Sequence, residues 1–322
     1  MGLSSGAAQP VGASPVTSPA TVGRFAPSPT GPLHFGSLIA AVASYCLARR
    51  RDGHWLLRMD DLDTPRVVPG AANGILRTLE ELGFAWDGPV LWQSRRQDAY
   101  QEALEQLTAR GLVYACACSR RDILASAPHP GEEGPVYPGI CRQGLPPGRT
   151  PRALRLRVPD RTIVFSDGIF GRQAQNLALE VGDFVLRRAD GLFAYQLATV
   201  VDDAASGVNQ VVRGADLLGS TARQIFLLEC LGLPLPAYLH MPLAVAADGS
   251  KISKRQGAGD DPLAGGGGAM LWRVLRWLGQ PVPAELRRAA PAEVLAWAAS
   301  AFDPGFIPAY REIAIDSTGE SR

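Results

Sequence analysis

Apolar residues recur along this chain in two alternating rhythms. TVGRFA (21–26) and HWLLRM (54–59) are short apolar runs bounded by turn residues, the pattern of buried β-strands. Between them, PSPTGPLHFGS is a loop rich in proline, glycine and serine, and LIAAVASYCLARR (38–50) places apolar residues at helical spacing. GAANGILRTLEELG (70–83) and RQDAYQEALEQLTARG (96–111) are predicted helices closed by glycine. Strand, loop, helix, strand opens a doubly wound α/β fold with a parallel sheet, in which ligands gather at the carboxyl ends of the strands. The first loop is therefore the place to seek a site. Near the end of the chain LWRVLRWLGQ and PAEVLAWAAS read as two amphipathic helices, after a flexible glycine linker placed at 258–269.

The chain has 322 residues, 46% of them hydrophobic and 20% charged, enough for a full core and two or three packed units. A net charge of +1 excludes a protein that grips nucleic acid by bulk charge. Any RNA contact needs a local patch. Arg49, Arg50, Arg51 and the pair Arg120 and Arg121 are weak candidates, because solvated helix ends account for them equally well. Residues 1–20 carry no charge and are rich in Ser, Ala, Gly and Pro, so a disordered tail is expected there. The tail lacks the features of a secretory signal, and Gly6 breaks the myristoylation pattern. No window reaches the roughly 18 apolar residues of a membrane span. A cytoplasmic protein with no membrane contact, and a monomer, is the expectation.

Five cysteines do not make a disulfide framework. Cys46 and Cys230 lie in helical patterns and are expected as small buried hydrophobes. Cys116, Cys118 and Cys141 form a separate group of soft ligands, and tetrahedral zinc wants four. His129 and Tyr137 lie between them, and on ligand preference alone the imidazole is favoured.

Four stretches carry further candidate chemistry. His34, Phe35, Gly36 and Ser37 stand just before the first predicted helix, where glycine admits a phosphate and free N–H groups favour an anion. Asp60, Asp61 and Asp63 sit between Arg58 and Arg66 at the end of the second strand, a set suited to a cation or to capping the turn. Tyr195 and Arg213 flank a helix carrying Asp202 and Asp203; Arg213, at a strand end, can bind a carboxylate or pair with Asp216. KISK (251–254) holds Lys251 and Lys254, the only lysines among 32 basic residues. A chain that elsewhere uses arginine keeps two compact ammonium groups in one loop, which points to a task a planar guanidinium does not perform.

In this order, the loops resemble the catalytic half of class I glutamyl-tRNA synthetases over residues 22–257. His34–Ser37 stand in the place of that family's His-Ile-Gly-His signature, and Lys251–Arg255 in the place of its Lys-Met-Ser-Lys-Ser loop. PLHFGSLIAA, VLWQS, GLFAYQLA and VVRGADLL are similar to a truncated paralogous branch, whose members activate glutamate and attach it to the queuosine base of tRNA(Asp). The resemblance implies a ligase with a Rossmann-type catalytic domain in two halves (21–112 and 191–257), an insert with a zinc site (113–190) and a small helical region (270–322). It implies ATP with Mg2+, L-glutamate and tRNA(Asp) bearing queuosine as ligands.

Residue by residue, the resemblance gives Lys254 the direct ATP contact with Lys251 assisting, and places ATP against His34, Gly36 and Ser37. His34, Lys251 and Lys254 are the catalytic group. Glutamate is placed against Arg24, Phe25, Ala26, Pro27, Ser28, Asp60, Tyr195 and Arg213. The chemistry agrees: Arg24 and Arg213 suit carboxylates, Asp60 and the tyrosine hydroxyl suit the α-ammonium. Asp60 departs from the family's usual Glu, which draws the carboxylate back by about 1.3 to 1.5 Å and makes room for a bridging water. Ser37 replaces the second histidine of the general signature, as in the truncated branch. In that branch a tyrosine four residues before the last cysteine completes a structural zinc site, so Cys116, Cys118, Tyr137 and Cys141 are the expected ligands. The short stretch after Arg255 fits a glutamate acceptor in the anticodon loop; a discrete glutamyl-tRNA synthetase served by a partner, and a catalytically silent RNA-binding module, are the alternatives.

Overall fold

A computed structural model describes residues 20–50, 52–128, 130–131, 134–246 and 266–315. The tail 1–19, Arg51, His129 and residues 247–265, which include Lys251, Lys254 and most of the expected linker, lie outside the described residues. The first half runs β1 (Val22–Phe25), α1 (Phe35–Arg49), β2 (His54–Met59), α2 (Ala71–Glu81), β3 (Leu91–Trp92) and α3 (Gln97–Ala109). The middle contains β4 (Val113–Cys116), α4 (Arg120–Ser126), β5 (Pro130–Gly131), β6 (Gly134–Pro135), β7 (Ala153–Leu156), β8 (Thr162–Asp167), β9 (Gly171–Asn176), α5 (Leu177–Glu180) and β10 (Val185–Arg187). Then come α6 (Tyr195–Ala205), β11 (Gln210–Gly214), α7 (Thr221–Leu231), β12 (Ala237–Met241) and β13 (Leu243–Val245), followed by α8 (Gly267–Trp277), α9 (Pro291–Ala301) and β14 (Glu312–Ala314).

Strands β3, β2 and β1 pair in parallel, and β11, β12 and β8 do the same. The two groups meet where β11 runs beside β1. There the Val22 N–H donates to Asn209 Oδ1 at 2.8 Å and Asn209 N–H to the Val22 carbonyl at 3.1 Å. The sheet is parallel except at one edge, where β9 returns antiparallel to β8. Part of the expected insert thus belongs to the main sheet: β8 joins it through Tyr238 and Asp167, while β10, β7 and β4 form a separate antiparallel sheet.

Side-chain alternation along each strand feeds two cores, one on each face. Phe25, Trp55, Leu57, Met59, Val212, Leu239 and Met241 join α1, α2, α8 and α9 in one core. Leu56, Val211 and Tyr238 join α3, α6 and α7 in the other. Helix α1 is apolar nearly all round because it is covered on both sides, by the sheet and by α8 and α9. The C-terminal helices therefore complete the core on this face of the sheet: Trp277, Leu278 and Phe302 are fully buried in it.

Two expected boundaries move for local reasons. Helix α1 begins at Phe35 rather than Leu38, because His34 is its N-cap, its ring Nδ1 accepting from the Ser37 N–H at 3.4 Å. Gly36 and Ser37 thus belong to the first helical turn. Helix α8 begins at Gly267, inside the expected linker, because Gly268 packs against the chain at Ala289. A Cβ there would lie 2.0 Å from the Ala289 carbonyl oxygen. Among the described residues no helix is long and apolar enough to cross a membrane.

Candidate active site

A pocket of about 670 Å³ opens at the carboxyl ends of β1, β2 and β11. Its wall includes Arg24, Phe25, Ala26, Pro27, Ser28, His34, Gly36, Ser37, Asp60, Tyr195 and Arg213, every residue within the described part of the chain that was expected to hold ATP or glutamate. The Asp60 N–H donates to the Pro27 carbonyl at 3.0 Å, which ties the end of β2 to the loop after β1. Met241, Pro242 and Leu243 close another side, and β13, paired with β14, carries the chain toward residue 247.

Three arginines dominate the electrostatics. Arg24, Arg58 and Arg213 are each 4% exposed, and each stands near the end of its strand. All three lie on the face covered by α6 and α7, in step with Val22, Leu56 and Val211. Asp203 of α6 serves two of them. It accepts from Arg24 Nε at 3.1 Å and from Arg58 NH1 at 2.5 Å. Arg24 also donates to the Val212 carbonyl at 3.3 Å, and Arg58 Nε donates to Asp60 at 2.6 Å. Burial raises both carboxyls, but Asp203 faces two guanidiniums, which hold it below its ordinary value; burial wins at Asp60, which is pushed up against the pull of Arg58.

Arg213 has a different setting. It donates to His240 Nε2 at 3.0 Å, Gln224 Oε1 at 2.7 Å and Thr221 Oγ1 at 2.9 Å. The alternative of a pairing with Asp216 is not realised, and among the described residues no carboxylate pairs directly with Arg213. Its countercharge lies one residue further on, at Asp167, whose Oδ2 is 2.6 Å from His240 Nδ1.

The other candidates have structural partners. Asp61 accepts from Ser94 N–H and Oγ, Asp63 pairs with Arg66, and Asp202 accepts from Gln93, Arg96 and Tyr100. Arg49 clamps the turn before β2 through Asp87 and two carbonyls. Arg50 is exposed, as are Arg120 and Arg121 in the first turn of α4. Cys46 and Cys230 are buried, and burial raises both thiols. Sequence reasoning missed His240 and Asp167. The available signal was a histidine within the buried apolar strand AYLHM, where an imidazole needs partners.

Cys116, Cys118 and Cys141 converge, their sulfurs all within 4.8 Å of one another. The Tyr137 hydroxyl lies 3.4 Å from the Cys116 sulfur and 3.7 Å from that of Cys118, and the Cys118 and Cys141 sulfurs are 3.6 Å apart. A tetrahedron with Zn–S near 2.3 Å has edges of about 3.8 Å between sulfurs and about 3.5 Å from sulfur to oxygen. The four groups fit zinc. Burial raises the Cys116 thiol, but hydrogen bonds from Tyr137 and Arg155 outweigh it and leave the group lowered; the Cys118 thiol is pushed up to about 11 by burial and its sulfur neighbours. Tyr137 is held by Gly182 (φ +75°), where a Cβ would sit 2.3 Å from the Tyr137 carbonyl oxygen.

Residues 20–260 match the family of class I tRNA synthetases (E and Q), catalytic domain. The chain belongs to this family. It is thereby a synthetase-type ligase. It is 58% identical to the glutamyl-Q tRNA(Asp) synthetase of Geobacter sulfurreducens over 297 residues, 90% of this chain and 94% of that protein. It is 60% identical to that of Dechloromonas aromatica over 280 residues, 86% of this chain and 92% of that protein. A glutamate tRNA ligase from Elizabethkingia meningosepticum, crystallised with its amino acid, superposes with a TM-score of 0.76 at 27% identity, covering 94% of this chain and 68% of that one.

Asp203 is the group on which the buried cluster depends. Asp203→Ala leaves two buried guanidiniums short of countercharge and lowers stability by about 3 to 5 kcal/mol, read by urea unfolding. Because its folded pKa is depressed, the contribution is full above the unfolded value of about 3.9 and is lost as pH falls through the folded one. The stability gap between wild type and variant narrows accordingly below about pH 4.

Proposed function

We propose that the chain activates L-glutamate with ATP as glutamyl-adenylate and transfers the glutamyl group to the queuosine base in the anticodon of tRNA(Asp). The observation that carries this reading is the far higher identity to glutamyl-Q tRNA(Asp) synthetases than to the glutamate tRNA ligase of the same fold. The pocket chemistry supports it.

Glutamate brings two carboxylates and one ammonium. The α-carboxylate must stay free to attack phosphorus, so Arg213, which has no direct carboxylate partner among the described residues, receives the side-chain carboxylate. The Tyr195 hydroxyl and Asp60 take the α-ammonium, Asp60 through a water because its side chain is short. Arg24 contributes field more than contact, since Asp203 already holds two of its nitrogens. His34 and the N–H groups that open α1 face the ATP phosphates. An α-carboxylate oxygen attacks the α-phosphorus, the bond to the bridging oxygen breaks, and pyrophosphate leaves as negative charge builds on it. Lys251 and Lys254 meet that charge. Mg2+ bound with ATP supplies further charge neutralisation on the phosphates. A nucleophile of the queuosine base then attacks the activated carbonyl, and AMP departs.

In the insert, Cys116, Cys118, Tyr137 and Cys141 would hold one structural Zn2+, with Arg155 balancing the thiolates from its place 3.2 Å from the Cys116 sulfur.

Labelled glutamate with ATP marks tRNA(Asp) that carries queuosine and leaves queuosine-free tRNA(Asp) unmarked. Marking of tRNA(Glu) at its acceptor end instead means a discrete glutamyl-tRNA synthetase. Lys254→Ala lowers the rate of adenylate formation by a factor of about 100 or more, the usual scale for removing one group that stabilises developing charge. Elemental analysis of the purified chain finds one zinc per molecule, and Tyr137→Phe releases it to a chelator faster while the cysteines remain in place.

A further inference from the structure

We propose that Asp167, acting through His240, is a positioning residue that fixes the orientation of Arg213 in the pocket wall. The inference rests on the reading that Arg213 receives glutamate, and extends the binding machinery to two residues that do not line the pocket.

The argument is one of donors and acceptors. Arginine only donates, so His240 Nε2, 3.0 Å from Arg213 Nε, must present its lone pair. The ring proton is then on Nδ1, where it meets Asp167 Oδ2 at 2.6 Å. Burial and the neighbouring Arg213 charge disfavour the imidazolium and outweigh the pull of Asp167, which agrees with a neutral ring. Among the described residues the imidazole is contacted by Asp167 from β8, Arg213 from β11, Thr221 Oγ1 from α7 at 3.3 Å and the Tyr238 ring of its own strand stacked at 6.3 Å, and the charge of Arg24 on β1 also acts on it. The charge on Asp167 thereby selects the tautomer, and the tautomer aims the guanidinium. Thr221 and Gln224 hold its other two nitrogens.

Asp167→Asn tests this without dismantling the site. Asp167 Oδ1 accepts from the N–H groups of Ile169 and Phe170 at 3.0 Å each and of His240 at 3.3 Å. An asparagine keeps all three bonds only with its oxygen at that place, which puts its NH2 against His240 Nδ1. That nitrogen must then accept, the ring proton moves to Nε2, and two N–H groups oppose each other across the 3.0 Å contact with Arg213.

The expected result in ATP–pyrophosphate exchange is a glutamate KM raised at least tenfold in Asp167→Asn, an ATP KM within twofold of wild type, and a melting temperature within a few degrees. His240→Gln, which restores an acceptor near Nε2, holds the glutamate KM closer to wild type than His240→Leu does. Nitrogen-15 shifts of the imidazole report Nδ1–H in wild type and Nε2–H in Asp167→Asn. An unchanged glutamate KM in Asp167→Asn, or an equal rise in both KM values, overturns the inference. So does a wild-type ring carrying its proton on Nε2, whatever the amino acid proves to be. Absence of glutamate-dependent exchange in wild type would instead sink the functional reading, and the imidazole shifts would still decide the inference.

Discussion

A guanidinium buried between a sheet and its covering helices has lost most of its hydration, and it stays charged because its pKa lies far above neutrality. Arg24, Arg58 and Arg213 place three such groups at the ends of neighbouring strands, on one face. Carboxylates have to follow. Asp203 sits on α6 where it reaches two of the three, Asp60 adds a second contact to Arg58, and Asp167 answers Arg213 at one remove. This set of charges fixes how α6, β1, β2, β8, β11 and β12 sit relative to one another at the pocket, because every bond except the local Arg58–Asp60 contact joins different elements. It also explains why the pocket wall is pre-formed: the side chains are held by protein partners before any ligand arrives.

The first strands and helices of the sheet were legible as local signals, and the resemblance of the loops to the synthetase family pointed to part of the pocket wall. Strand β2 reads directly from HWLLRM, and most of the pocket residues singled out lie at strand ends or in the loops that follow, with Gly36, Ser37 and Tyr195 in the first turns of α1 and α6. The pairing of the charges was not legible. Arg24 and Asp203 are 179 positions apart, Arg58 and Asp203 are 145, and no periodicity links them. Arg24 looked free to bind a carboxylate, and Asp203 looked like one of two acids on a helix; the fold brings them together and uses up much of the capacity of each. The helix starts failed for another reason. A histidine is an unusual N-cap, and a glycine run such as 265–268 reads as a linker until the chain that packs against Gly268 is known.

The cysteine group illustrates the reverse case. Ligand preference pointed to an imidazole, while the geometry puts a phenol oxygen at tetrahedral spacing from two sulfurs. Tyr137 is a poor ligand in isolation. Here Arg155 lies over its ring at 3.8 Å and its hydroxyl accepts from the Cys141 N–H at 3.0 Å, but burial and the bonds to Cys116 and Cys118 outweigh these and push the phenol above its ordinary value. What the fold supplies is proximity of the phenol oxygen to the sulfurs, a point that ligand preference alone does not reveal.

The distribution of cations follows from what each must do. Arginine is effective where the fold can hold a planar fork in one orientation, and Arg24, Arg58 and Arg213 each have three bonds to do that. Among these, Arg213 differs by having only neutral direct partners, so its field is the least compensated at the pocket wall. A dicarboxylic amino acid carries one net negative charge, which one such centre can match. A leaving pyrophosphate is a different problem, since its charge grows and shifts during the reaction. A compact ammonium on a flexible stem can turn with it at little cost, which supports the role proposed for Lys251 and Lys254, the two lysines that follow β13 in the sequence of a chain otherwise built on arginine.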